Sequence, residues 1–271
     1  MERDRICFLH IGTHKTGTTS IQRLLALNES PLRQAGVYIP SAGRPYAFDG
    51  HHNIAWQLNG DSRFDPTCGS LDSVVREISE RGTSAACLSS EDFEYLHAKP
   101  QRLYDVARAF AGIRYAVRII LYVRPRHEYE RSLYQELSTH HGITETAAQF
   151  NEMISRDKLF RCREEWVFQF DYDRLLEPFA RVFGADNMIV RNYRSAGLDS
   201  NLLDDFLEMR SYRNTQKPPL RNFNCHPGSI ARYRFEENIY RTSSTVTGCA
   251  QRCRLRSDGV AVGTRCCALH L

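Results

Sequence analysis

Apolar and polar positions along this chain alternate between two periods. Ile6 to Gly12 is a short apolar run, which predicts a buried strand. Thr18 to Leu27 carries apolar residues at Ile21, Leu24 and Leu25, the stripe of an amphipathic helix. Val37 to Ile39 and Ala85 to Ser90 are further short strand candidates. Gln101 to Ala111 reads as helix, with Leu103, Val106, Ala107 and Phe110 on one side. Val117 to Val123 is the most strand-like run, and a helix is expected after it from Arg126 to Ser138. Arg174 to Phe183 predicts a helix stopped by Gly184, Met188 to Val190 a strand, and Ser200 to Met209 a last helix. Strands separated by helices pair in parallel, because parallel neighbours need a crossover connection. The expectation is therefore one α/β domain: an open, mostly parallel sheet flanked on both faces by helices. Ligands of such sheets sit at the carboxyl ends of the strands, so the chemistry belongs just after each strand.

The periodicity fades after about residue 240, which predicts an α/β domain over 1–240 and a poorly packed, Cys/Arg-rich tail over 241–271. The whole chain is 271 residues long, 25% charged and 42% hydrophobic, a globular composition. The net charge of +4 lies in the tail, where five Arg face one Asp, while the rest is balanced. The charge thus gives no reason to expect a nucleic-acid partner. No apolar run approaches the ~18 residues of a membrane span, and the first residues do not resemble a secretory signal. Nine cysteines, an odd number, then suggest reduced thiols and a cytoplasmic location. Four of them crowd the tail as Cys249, Cys253, Cys266 and Cys267, a spacing that fits paired zinc ligands poorly, and no metal site is expected.

The first strand runs straight into Gly12-Thr13-His14-Lys15-Thr16-Gly17-Thr18-Thr19-Ser20 and then a helix. Strand, glycine-bearing loop and helix form a phosphate cradle, because the amides at a helix start are unpaired and partly positive. Gly17 permits close backbone approach, Lys15 adds a full charge, Thr16 belongs to the same cradle, and Thr18, Thr19 and Ser20 supply hydroxyls that can also cap the helix. The residue order separates families. A nucleoside triphosphatase loop places Lys directly after its second glycine, whereas here Thr18 follows Gly17 and the Lys precedes it by two.

K-x-G-T-T after a first strand resembles the 5′-phosphosulfate loop of sulfotransferases, and His10 to Gln22 looks most like bacterial members acting on carbohydrates or small molecules. The resemblance implies the sulfotransferase fold, 3′-phosphoadenosine 5′-phosphosulfate as donor and adenosine 3′,5′-bisphosphate as product. In that family an Arg at a strand end and a Ser eight positions later hold the 3′-phosphate. Arg124 and Ser132 have that spacing, with Pro125 between strand and helix. The planar guanidinium fork matches phosphate oxygens. Arg126 and Arg131 read as solvated helix charge. The likeness extends to the segments from Phe170 to Gly184 and from Ile189 to Arg191. Arg221 and Asn222 are weaker matches for further donor contacts.

In-line transfer to a hydroxyl requires a general base and no redox step or metal. Lys15 and the helix start would stabilise charge on the departing oxygen. Glu91 stands at the end of the Ala85 strand, where some family members place a catalytic His and several carbohydrate sulfotransferases a Glu. His51 and His52, in a Gly/Pro-rich loop, are the other choice, since histidine titrates near neutrality unaided. A carboxylate base works best where burial raises its affinity for a proton. A small-molecule or glycan acceptor is implied, and its specificity is expected in the loops 41–67 and 139–166, whose aromatics Tyr46, Phe48, Trp56, Phe64, Phe160 and Trp166 can stack on sugars or fill the core. Two other readings stay open: a nucleotide-binding protein of the same fold without turnover, and a P-loop small-molecule kinase.

Overall fold

The computed structural model describes residues 5–193 and 234–236, and the statements below concern those residues. The sheet strands are β1 (Arg5–His10), β2 (Val37–Tyr38), β3 (Ala85–Ser89), β4 (Tyr115–Val123), β7 (Met188–Asn192) and β8 (Arg234–Glu236). They lie in the order β2-β3-β1-β4-β7-β8, and every neighbouring pair is parallel. The helices are α1 (Thr18–Leu27), α2 (Glu29–Gln34), α3 (His52–Asn59), α4 (Leu71–Arg81), α5 (Pro100–Gly112), α6 (Arg126–His140), α7 (Ala147–Asp157) and α8 (Tyr172–Phe183). A separate antiparallel pair, β5 (Leu159–Arg161) and β6 (Val167–Gln169), lies between α7 and α8.

The period-two alternation of the strands divides the core between the two faces of the sheet. Leu9, Ile119 and Leu121 point into one cluster with Ile54, Val74, Ile78, Leu103, Phe110, Leu175 and Phe179. Phe8, Ile120 and Tyr122 point the other way, against Ile21, Leu25 and Leu32 of α1 and α2. A third cluster joins Tyr129, Leu133 and Leu137 of α6 to Phe150, Ile154, Phe160 and Phe168. The predicted open parallel α/β sheet with helices on both faces is what the chain forms.

Two regions expected as loops contain regular structure. The segment 41–67 includes α3, and 139–166 includes α7 and β5. His51 and His52 therefore do not lie in a loop: His51 is the N-cap of α3 and His52 its first residue. The predicted helix Ser200 to Met209, Arg221, Asn222, Cys225 and the tail 241–271 with its four cysteines lie outside the described residues.

The strand order positions the site. The central strand β1 is flanked by β3 and β4, so the residues that leave these three strands meet at one edge of the sheet. Those exits are Gly12 to Gly17, Glu91 and Arg124.

Candidate active site

The loop after β1 is shaped by backbone geometry that its residues specify. Gly12 has a φ of +90°, and a Cβ there would lie 3.0 Å from the Glu91 Cα, so only glycine lets the loop pass the exit of β3. Lys15 and Gly17 both adopt left-handed backbone, with φ of 60° and 74°. Such residues turn successive amides toward one side and build an anion-binding concavity. Among the described residues, the amides of Lys15, Thr16 and Gly17 donate to no protein acceptor, and α1 starts without a side-chain cap. Thr18, one of the hydroxyls expected to cap that helix, does other work. Thr16 and Thr18 both donate to the Thr13 carbonyl, Thr18 at 3.3 Å, and so lock the loop. Their amides, and the exposed Thr19 and Ser20, are what they leave for a ligand.

Within the loop, His14 occupies a nest of acids that the sequence did not reveal. Its Nδ1 lies 2.6 Å from Glu94 Oε1, and its Nε2 lies 3.2 Å from Asp92 Oδ1 and 3.1 Å from the Tyr95 hydroxyl. Burial opposes the imidazolium, but the charges and hydrogen bonds of Glu94 and Asp92 outweigh it and raise His14 to about 10. Burial also acts against the Asp92 carboxylate, yet His14, with further help from Arg63, brings it down to about 2. Burial is the dominant influence on Glu94 and pushes it up.

Arg124 leaves β4 and reaches across to this loop. Its Nη1 donates to the Lys15 carbonyl at 2.8 Å and to Ser132 Oγ at 3.2 Å. Its Nη2 donates to Glu128 at 2.9 Å, while its Nε is buried with no protein partner. Only 13% of the side chain is exposed. The Arg124 carbonyl accepts from the Tyr172 hydroxyl at 2.9 Å, which fixes the backbone at the strand end. Lys15 is 2.9 Å from Glu136, so α6 supplies a counter-ion to each cation. Hydrogen bonding to Arg124 and to Lys15 holds Glu128 and Glu136, respectively, below the usual carboxylate range. Arg126, expected to be helix charge, pairs with Glu130. Tyr193, which no sequence signal marked, closes the other side. Its ring lies 5.6 Å from the Arg124 guanidinium carbon, and a Cβ on Gly17 would come within 2.6 Å of it.

Glu91 follows Ser90, whose side chain caps the short 3-10 helix Glu91–Ala98 by accepting from the Asp92 amide. Its Oε2 accepts from Gln22 Nε2 at 2.8 Å, and His52 Nε2 stands 3.9 Å from the same oxygen. His51 has a different fate. Its Nδ1 accepts from the Ser89 amide at 3.2 Å and its Nε2 donates to the Pro40 carbonyl at 3.0 Å. With the residue 1% exposed, burial and the nearby Arg44 hold its ring neutral, down to about 3. The expectation that His51 could serve as base is corrected on this ground: both nitrogens are engaged, and no lone pair is left for an acceptor. Of the aromatics expected near the acceptor, Trp56, Phe160 and Trp166 are buried, with Trp56 donating to Asp92 and Trp166 to Asp61. Tyr46 and Phe48 are exposed, and Phe48 lies 5.1 Å from the His52 ring.

Lys15, Gly17, Arg124 and Ser132 thus converge, Glu91 adjoins the same loop at Gly12, and His51 is turned into the core. Among the described residues no group of His, Cys, Asp and Glu is placed to hold a metal, and no helix is long and apolar enough to cross a membrane. No protein-family model matches the chain, and no curated protein matches it. Among solved structures, a sulfotransferase from Alicyclobacillus acidocaldarius is similar at 20% identity, over 76% of this chain and 78% of that one, with a TM-score of 0.43.

Proposed function

We propose that this protein is a sulfotransferase that moves the sulfuryl group of 3′-phosphoadenosine 5′-phosphosulfate to a hydroxyl of a carbohydrate or other small molecule. The observation that carries the reading is the junction of two anion-binding elements. Arg124 hydrogen-bonds both Ser132 and the backbone of Lys15, and its buried Nε has no partner in the protein. A buried guanidinium with an unmet donor suits a phosphate. The donor's 3′-phosphate would lie on Arg124 and Ser132. Its 5′-phosphosulfate would lie on the amides of Lys15 to Thr19 and the start of α1.

When bound, the donor supplies the sulfuryl group and a stable bisphosphate leaving group. Lys15 and the turned amides are suited to stabilise charge on the bridging oxygen as the S–O bond breaks. Glu91, beside the loop, accepts the acceptor's proton as the new S–O bond forms. Titration calorimetry tests the binding part. Adenosine 3′,5′-bisphosphate is expected to bind far more tightly than AMP or ATP. Preference for ATP with Mg²⁺ would instead support a kinase. Transfer of ³⁵S from labelled donor to a panel of mono- and disaccharides tests the chemistry, and tight bisphosphate binding without any transfer would leave a binding protein.

A further inference from the structure

Glu91 is held from two sides, and the hydrogen bonding decides the part each neighbour plays. Ser90 is fully buried, and its Oγ accepts from the Asp92 amide at 3.2 Å. A buried hydroxyl also needs an acceptor for its own proton, and His52 Nδ1 lies 2.9 Å away. Ser90 therefore donates to Nδ1, and the His52 proton resides on Nε2. That nitrogen is the one facing Glu91 Oε2. The 3.9 Å gap is too long for a hydrogen bond, but it sets the N–H-bearing nitrogen next to that carboxylate oxygen. The ring itself is fixed: it stacks on Trp56 with centroids 5.9 Å apart, and Trp56 is tied to Asp92.

On the other side, the Gln22 amide donates to Oε2 at 2.8 Å. Gly50 packs directly on that amide, where a Cβ would fall 2.6 Å from Gln22 Cδ. Both donors thus face one oxygen, and among the described residues Oε1 has no protein partner.

We propose that Gln22 and His52 are positioning residues, which hold Oε2 of Glu91 so that Oε1 is presented to the acceptor hydroxyl. His52, an alternative base on sequence grounds, becomes a donor set by Ser90. The inference rests on Glu91 being the base, and the test separates the two. The variants are Glu91→Gln, Gln22→Met, His52→Phe and His52→Gln, the last of which keeps an N–H near the Nε2 position. Transfer of ³⁵S from 3′-phosphoadenosine 5′-phosphosulfate to the best sugar of the panel is followed, with release of sulfate to water as the measured reaction if no sugar is labelled. Adenosine 3′,5′-bisphosphate affinity is measured in parallel. Gln22→Met and His52→Phe should each lower kcat about tenfold, with bisphosphate affinity within about twofold of wild type, and His52→Gln should recover most of the loss. Wild-type kcat in Gln22→Met and His52→Phe, with Glu91→Gln inactive, overturns the positioning roles alone. Loss of bisphosphate affinity alongside kcat in Gln22→Met and His52→Phe overturns them too, in favour of a structural role. An active Glu91→Gln overturns the base beneath them.

Discussion

Replacing His14 with glutamine removes the cation from the loop between β1 and α1 while roughly preserving its volume. The cost follows from what is left behind. Glu94 has a fully buried side chain and Asp92 is 9% exposed, and both lean on His14 within 3.2 Å. Breaking a buried ion pair from one side strands its partner and costs on the order of 3–5 kcal/mol. The pH dependence gives an independent measure. His14 is raised from 6.5 to about 10, so its stabilisation is complete below 6.5 and drains away as pH climbs toward 10. The slope over that window should approach ~1.4 kcal/mol per pH unit, one proton's worth. Glu94, also raised, acts with the same sign: its share is present below 4.5 and is lost as pH rises through its raised folded-state value. Asp92 acts oppositely: lowered from 3.8 to about 2, it contributes above 3.8 and fails as pH falls toward 2. Urea denaturation at several pH values checks both parts. The wild type should lose stability steadily between pH 7 and 10, and His14→Gln should be less stable at pH 7 with a flatter profile. A flat wild-type profile, or a variant with an unchanged midpoint, would refute the charged nest.

Three further outcomes follow from the site. Arg124→Lys should keep the fold but lose bisphosphate affinity by tenfold or more, since an ammonium cannot span the Lys15 carbonyl, Ser132 and a phosphate at once; calorimetry with thermal melts reads both. Glu136→Gln should tighten bisphosphate binding, because the carboxylate that neutralises Lys15 no longer competes with the ligand; unchanged affinity would mean the two do not compete. Gly17→Ala should cost ~1–3 kcal/mol and weaken the anion site, because the left-handed backbone is strained with a Cβ and Tyr193 must move; denaturation midpoints and bisphosphate titration test it.

What the sequence disclosed depended on whether the determining contacts were local. The helix α1 is read correctly over Thr18–Leu27, because its stripe and the glycine before it lie within a few residues. Strand β4 is likewise plain from its apolar run, which only Arg118 interrupts. Lys15, Gly17, Arg124 and Ser132 were legible as a pattern, but that they meet is a matter of β1 and β4 pairing side by side. α4 carries local signals too, quieter than those of α1: Ser70 as cap, the stripe Leu71, Val74, Ile78, and Gly82 as stop. α3 was hidden by the glycines and prolines around it. The acid nest of His14 and the approach of Tyr193 to Gly17 had no local signal, being contacts across 80 and 176 positions of chain. The roles of His51 and His52 hinged on Ser89, the last residue of β3, and Ser90 just after it, which decide where each ring keeps its proton.

The pairing of β1 with β3 works as a ruler. His10 stands opposite Ser89, so Gly12 and Glu91 emerge at matching heights and touch. A slip of one position would shift Glu91 by about 3.3 Å and invert every side chain of the strand. On the proposed function, insertions or deletions inside β3 should therefore uncouple proton removal from leaving-group stabilisation even where the domain still assembles. Between β2 and α3, the exposed residues from Tyr46 to Phe48 bear no such alignment, which, on the proposed function, makes them the natural place to graft a new acceptor preference.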